Sequence, residues 1–405
     1  YNASGAAVVV TVADGSAADN IKTVNVTTAS KSNVELNTTA ATAVTAAGSG
    51  ALTLDLDGTL NTAVASFDGS SATGGITLSN VATATTSIKT GSGNDAFTTT
   101  ATTKANVESG VGNDTVTLGS ALAAGSTINL GAGDDKLLVN GGSVAASTTT
   151  ATTTIDAGEG RDTVSASLLN AANAAQFKNF EALDLSASTT NPLDVELVTA
   201  STITGLTLSG DAGGAATVNN VAAGVGLSIA GANTGAKTIN LKNASTNASD
   251  SFAITFDGAK VAGAAATAPN VTAVTGGITL DNIENVTIAS GGAENTWNGI
   301  LLNGGTNNTL QTLTITGEKN LNVDFSAADV GKALTGATDT TNGLKMIDGS
   351  SATGKLDIDL TAVTTLNTSS EGLTIKGGSA NDTITLNDGV AVAGTNSAKT
   401  TVDAG

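Results

Sequence analysis

Gly110-Val111-Gly112-Asn113-Asp114-Thr115-Val116-Thr117-Leu118 joins a glycine-spaced turn ending in aspartate to a strand of alternating polar and apolar residues. The same grammar stands at Gly91-Ser92-Gly93-Asn94-Asp95 and at Gly158-Glu159-Gly160-Arg161-Asp162. It stands again at Gly131-Ala132-Gly133-Asp134-Asp135, which leads into Lys136-Leu137-Leu138-Val139. A fifth copy, Gly377-Gly378-Ser379-Ala380-Asn381-Asp382, has alanine where the second glycine would fall and precedes Thr383-Ile384-Thr385-Leu386. Glycines admit backbone conformations closed to other residues, so such turns can aim several carbonyl oxygens into one concavity. Aspartate adds a hard anionic oxygen, and Ca²⁺ takes about six to eight oxygens at about 2.3–2.6 Å. One turn cannot fill that shell, but a second turn stacked on it can. Single Gly-Asn-Asp turns also close ordinary hairpins; ordered copies with strands behind them favour a calcium-binding parallel β-roll. Calcium is therefore expected to fold the chain as well as bind to it.

The first glycines fall at 91, 110, 131 and 158, in steps of 19, 21 and 27 residues. The motif thus recurs about once per coil. Intervening turns such as Gly119-Ser120-Ala121-Leu122-Ala123-Ala124-Gly125 lack the aspartate, which predicts a calcium ladder along one edge and plain loops along the other.

Composition agrees with an all-β chain. Its 405 residues include 49 glycines and only 2% aromatics, with 40% apolar residues. A globular core leans on large aromatics, whereas stacked coils bury thin ladders of Val, Ile, Leu, Ala and Thr. Alternation in Leu52-Thr53-Leu54-Asp55-Leu56, Leu206-Thr207-Leu208 and Leu313-Thr314-Ile315-Thr316 marks half-buried strands and excludes a solvated coil. The expected fold is an elongated parallel β-solenoid with calcium-binding β-roll modules and a few short helices. Those helices are placed at Leu168–Phe177 and at Ser326–Leu334, the latter opening on a capping serine.

The net charge of −19 argues against nucleic acid, which needs a basic face. No apolar run reaches the length of a transmembrane helix. With no His and no Cys, Ser-His-Asp, Cys-His and the usual zinc sites are excluded. Carboxylate pairs remain: Asp55 with Asp57, and Asp357 with Asp359, spaced two apart on strands. Such neighbours lie about 7 Å apart on one face, a spacing some glycosidases use. The flanking leucines and isoleucine take the buried face, however, so these aspartates read as solvated or cation-bridged. Trp297 stands alone, without the aromatic partners a sugar site wants. No enzyme is expected.

A second repeat concerns organisation. Phe67-Asp68-Gly69-Ser70-Ser71-Ala72-Thr73-Gly74 returns as Ile347-Asp348-Gly349-Ser350-Ser351-Ala352-Thr353-Gly354, each followed by a strand and a turn motif. Duplication of a solenoid-to-roll module follows. The expected segments are 1–90 (solenoid), 91–165 (calcium roll), 166–346 (intervening β-rich solenoid) and 347–405 (a second module). Thr400–Gly405 matches Thr153–Gly158, so the sequence reads as stopping mid-motif.

The Gly-x-Gly-x-Asp turns resemble the repeats-in-toxin motif of proteins exported by type I secretion in Gram-negative bacteria. Together with Ile347–Gly354, Ile375–Leu386 and Phe180–Ser188, they resemble repeats-in-toxin surface-layer proteins of the Caulobacter and Campylobacter kind. In that family the aspartate and the carbonyls around the paired glycines hold Ca²⁺ between coils. The resemblance carries this role to Gly91, Gly93, Asp95, Gly110, Gly112, Asp114, Gly131, Gly133, Asp135, Gly158, Gly160, Asp162, Gly378 and Asp382. It departs from the family at the long steps between motifs, at Ala380 and at Arg161. It implies a secreted, self-assembling lattice protein on the cell exterior, with itself as principal partner and any surface polysaccharide engaged through a region outside this sequence. The alternatives are the stalk of a large secreted adhesin and a polysaccharide-active enzyme carrying such rolls.

Overall fold

A computed structural model of the chain describes residues 8–13, 20–56, 61–101, 103–189, 191–210, 213–246, 249–257, 274–292, 297–303, 309–326, 344–363, 373–386, 401–403 and 405. By compactness it divides into two units. The first is Tyr1–Leu183 with Leu197–Thr202, and the second is Asp184–Glu196 with Ile203–Gly405. Each is a parallel β-solenoid.

In the first unit successive coils lay one strand on each of two sheets. One sheet stacks Leu52–Asp55, Ile76–Ser79, Ala96–Thr99, Thr115–Leu118, Lys136–Val139 and Thr163–Ser165, all parallel. Register places Leu54, Leu78, Phe97, Val116, Leu137 and Val164 in a single column. The other sheet has eight strands, with Val44, Phe67, Ile88, Val107, Ile128, Ile155 and Phe177 in its column. Both columns are buried. Alternation with period two is what sends these side chains inward and the threonines between them outward. Fully burying one such aliphatic side chain stabilises by about 1.5–3 kcal/mol, and stacking repeats that gain at every coil.

Coils differ in length without losing register. Ile128 pairs with Ile155 and Leu137 with Val164, so the extra residues of the 27-residue step lie between Val139 and Thr154. That edge is not wholly plain loop. Ala121–Leu122 and Ser143–Val144 pair there as a small parallel sheet.

The second unit repeats the arrangement. Leu206, Leu227, Ile254, Ile288 and Ile315 form one column, and Ile300, Val323 and Ile358 lie in another. The repeated block takes the same local form in each unit. Ser66–Ala72 and Met346–Ala352 both carry a register irregularity, and Asp68 and Asp348 each accept the N–H and hydroxyl of the serine two residues on.

One helical expectation is corrected. Leu168–Phe177 holds no α-helix but the short 3₁₀ turns Ala166–Leu168 and Ala174–Gln176. The apolar spacing there reflects an inward row instead: Leu168, Leu169, Ala174, Phe177 and Phe180 are buried, with the two phenylalanine rings 6.2 Å apart. Asn173 holds the turns by donating to the carbonyls of Val144 and Leu168, each at 2.9 Å. Of the second expected helix, all but Ser326 lies outside the described residues.

Candidate metal centre: a ladder of buried aspartates

The glycine turns stack on one another, and the glycines are required by that stacking. Gly110, Gly131 and Gly158 take φ of +100°, +106° and +103°, and Gly112, Gly133 and Gly160 take +132°, +135° and +140°. L-residues with a side chain rarely adopt such values. A Cβ on Gly131 would overlap the carbonyl of Gly110 in the neighbouring coil, and one on Gly133 the carbonyl of Gly112. Backbone thus lies against backbone, and each cradle is lined by carbonyl groups.

Each aspartate reaches to the neighbouring coil. Asp114 Oδ1 accepts the N–H of Asp95 at 2.8 Å, Asp135 Oδ1 that of Asp114 at 2.8 Å, and Asp162 Oδ1 that of Asp135 at 2.7 Å. A parallel outer row does the same. Asn94 Oδ1 accepts from Asn113 N–H, Asn113 Oδ1 from Asp134 N–H, and Asp134 Oδ1 from Arg161 N–H, all at 2.9 Å.

The second oxygens differ. Oδ2 of Asp114, Asp135 and Asp162 is buried and has no hydrogen-bond partner. These residues are only 0–1% exposed. Ser109 donates its hydroxyl to the carbonyl of Leu130 at 2.8 Å, and its nearness to Asp114 opposes the rise of that carboxyl only as the smallest of the influences on it. Burial pushes the Asp114 carboxyl up to about 8, with the neighbouring N–H opposing and the charges of Asp95 and Asp135 adding. Burial likewise raises Asp135 to about 7 and Asp162 to about 6, aided by Asp162 and Asp134 in the first case and by Glu181, Asp134 and Asp156 in the second. A buried anion without a partner is costly, and a column of them repels itself. Protons or a cation must relieve it.

Asp95 and Asp382 are built differently. Asp95 accepts Ile76 N–H through Oδ1 at 2.6 Å and Gly91 N–H through Oδ2 at 3.2 Å. Asp382 accepts Leu356 N–H and Gly378 N–H at 2.8 and 2.6 Å. Both oxygens are satisfied by backbone, so these carboxylates cap turns. Of the residues named from the sequence, the structure brings Asp114, Asp135 and Asp162 into one column with their glycines. It gives Asp95 the end of that column, and it places Gly378 and Asp382 in the second unit.

Glu181 was not foreseen. Its Oε2 accepts Asp162 N–H at 2.8 Å and extends the column by one coil. No glycine announces it; the signal is spacing, since 162 to 181 is the same 19-residue step as 95 to 114. Arg161 is exposed on the outer row, so its charge does not fill the cradle.

The residues fit a hard cation: buried unpartnered carboxylate oxygens stand beside glycine cradles that a side chain would fill. Among the described residues no group of three acidic side chains could hold a metal by itself. Main-chain carbonyls would therefore supply the remaining oxygens. Of the strand-face aspartates, Asp55 accepts both hydrogen bonds of Asn80 Nδ2, and Asp57 lies outside the described residues. Comparison with protein-family models and with curated proteins returns no match for this chain.

Proposed function

We propose that this chain is a secreted, non-enzymatic structural protein. Its first unit folds around calcium, and its copies assemble into a layer on the exterior of a Gram-negative cell. The observation that carries the reading is the column of Asp114, Asp135 and Asp162, each buried with one unpartnered oxygen. A bound calcium would neutralise that column and tie adjacent coils through Asp carboxylates and glycine carbonyls. Such binding is weak-to-moderate chemistry that suits the calcium-rich exterior of a cell. The charge of −19 keeps free copies apart, and cation bridging of outward carboxylates lets them associate.

Electron microscopy of the purified chain in millimolar calcium and in chelator tests assembly. Ordered sheets that dissolve in chelator are expected. Dispersed particles under both conditions would defeat the lattice reading and favour an adhesin stalk.

A further inference from the structure

A second group of oxygens lies on a strand face of the second unit and owes nothing to the glycine turns. In Asn320–Phe325 the residues Leu321, Val323 and Phe325 point inward, so Asn322 and Asp324 lie on the outer face. In Leu356–Leu360 the same alternation puts Asp357 and Asp359 outward. The two strands pair with Asn322 opposite Asp357 and Asp324 opposite Asp359. Paired strands stand about 4.8 Å apart and same-face neighbours about 7 Å apart. Four oxygen-bearing side chains therefore share one small patch.

Three features mark the patch as more than a solvated acidic face. Asn322 is 4% exposed although it faces outward, and its Oδ1 has no hydrogen-bond partner. Asp324 stands directly opposite the like charge of Asp359 on the paired strand, with Asp357 on the same face. No lysine or arginine among the described residues pairs with these aspartates. Lys355, adjacent in sequence, turns instead over the Trp297 ring at 5.9 Å. The Asp359 carboxylate accepts one backbone N–H, from Thr361 at 2.8 Å.

We infer that Asn322, Asp324, Asp357 and Asp359 form a divalent-cation site of a second kind, built from side chains on a strand face. The three carboxylates do not yet close on one point. Binding would draw Asp324 and Asp359 toward Asn322 Oδ1, with water completing the shell. An amide oxygen with three carboxylates is a hard-oxygen set suited to calcium. Such a site crosslinks two neighbouring strands and removes the repulsion between like charges placed directly opposite one another.

The chain offers a local reporter. Trp297 is its single tryptophan, and its strand pairs with Asn320–Phe325, Leu301 lying opposite Asp324. Terbium replaces calcium at oxygen sites and emits when a nearby tryptophan transfers energy to it. The experiment titrates the full chain with terbium under tryptophan excitation. Saturable emission that calcium displaces is expected. The Asp324→Asn/Asp359→Asn double variant should weaken terbium binding by about tenfold or more, Trp297→Phe should abolish the emission, and Asp135→Asn should leave it unchanged. Circular dichroism establishes that each variant is folded. Absence of sensitised emission from the native chain, or emission from the folded double variant at native concentration dependence, would overturn the site. Loss of emission in Asp135→Asn would assign the signal to the turn column instead.

Discussion

The glycine turns of the two units treat their aspartates differently, with Asp95 at the end of the first column sharing the arrangement of the second unit. In the first unit Asp114, Asp135 and Asp162 are buried anions, each with an oxygen that no protein group satisfies. In the second, Asp382 satisfies both oxygens with backbone N–H groups. That unit also buries a cation of its own: Lys237 faces inward with Ile239 and Leu241 and donates to the carbonyl of Gly214. Burial lowers the Lys237 ammonium to about 8, and Asp184 opposes that shift. The difference teaches where a proton or an added cation is needed. A glycine-aspartate turn whose carboxylate is fully spoken for is a structural cap. One whose carboxylate keeps a buried free oxygen depends on something added.

Calcium removal should separate the units most widely. At a hundredfold excess over its Kd each occupied site stabilises by about 2.7 kcal/mol. Hydrogen exchange in chelator should therefore deprotect residues 91–181 strongly, while the column of Leu206, Leu227, Ile254, Ile288 and Ile315 keeps its protection and any loss in the second unit is confined to Asn320–Phe325 and Leu356–Leu360. Equal loss in both units would erase the distinction. The next largest effect belongs to Gly131→Ala. Its φ of +106° and the overlap with Gly110 predict destabilisation well above ~1 kcal/mol, in calcium or without it. A melt unchanged by the substitution would contradict the stacking described.

Acidity sharpens the comparison further. The folded carboxyls titrate near 8, 7 and 6, against about 3.9 for unfolded aspartate. Between those limits the metal-free folded state holds more protons than the unfolded one. Its stability must then be fully present near pH 4 and fall as pH rises toward 8. Calcium should reverse the loss at neutral pH and confer progressively less as protons compete below pH 6. Asp135→Asn isolates one rung. It removes a charge while leaving an oxygen for Asp114 N–H, so chelator-treated protein at pH 8 should gain on the order of 1 kcal/mol and lose part of its response to calcium. Asp382→Asn should behave in the opposite manner. It costs about 1–2 kcal/mol through a broken backbone cap, equally in calcium and in chelator.

Much of this was legible in the sequence, because coil stacking is a local grammar. Glycines at 110, 112, 131 and 133 announce positive φ, and Val116-Thr117-Leu118 announces a strand with one buried face. The apportioning of carboxylate oxygens was not legible. Asp95 and Asp114 sit in nearly identical motifs, yet Asp95 Oδ2 meets Gly91 N–H within its own turn, whereas in the turn of Asp114, with Gly110 at φ +100°, Oδ2 meets none. Glu181 escaped because its turn, Asn179-Phe180-Glu181, has no glycine, Asn179 taking a positive φ of 59° instead. The misplaced helix had a related cause. Leu168, Leu169, Ala174 and Phe177 are spaced like one helical face, but coil geometry turns each of them inward separately.

The central claim is that the free oxygens of Asp114, Asp135 and Asp162 hold calcium. Equilibrium dialysis tests it by comparing the native chain with the Asp114→Asn/Asp135→Asn/Asp162→Asn variant and with Asp95→Asn. The account predicts that the triple variant loses the tightly bound calcium and that Asp95→Asn retains it. A folded triple variant that binds as much calcium as the native chain, at the same free concentration, would contradict it.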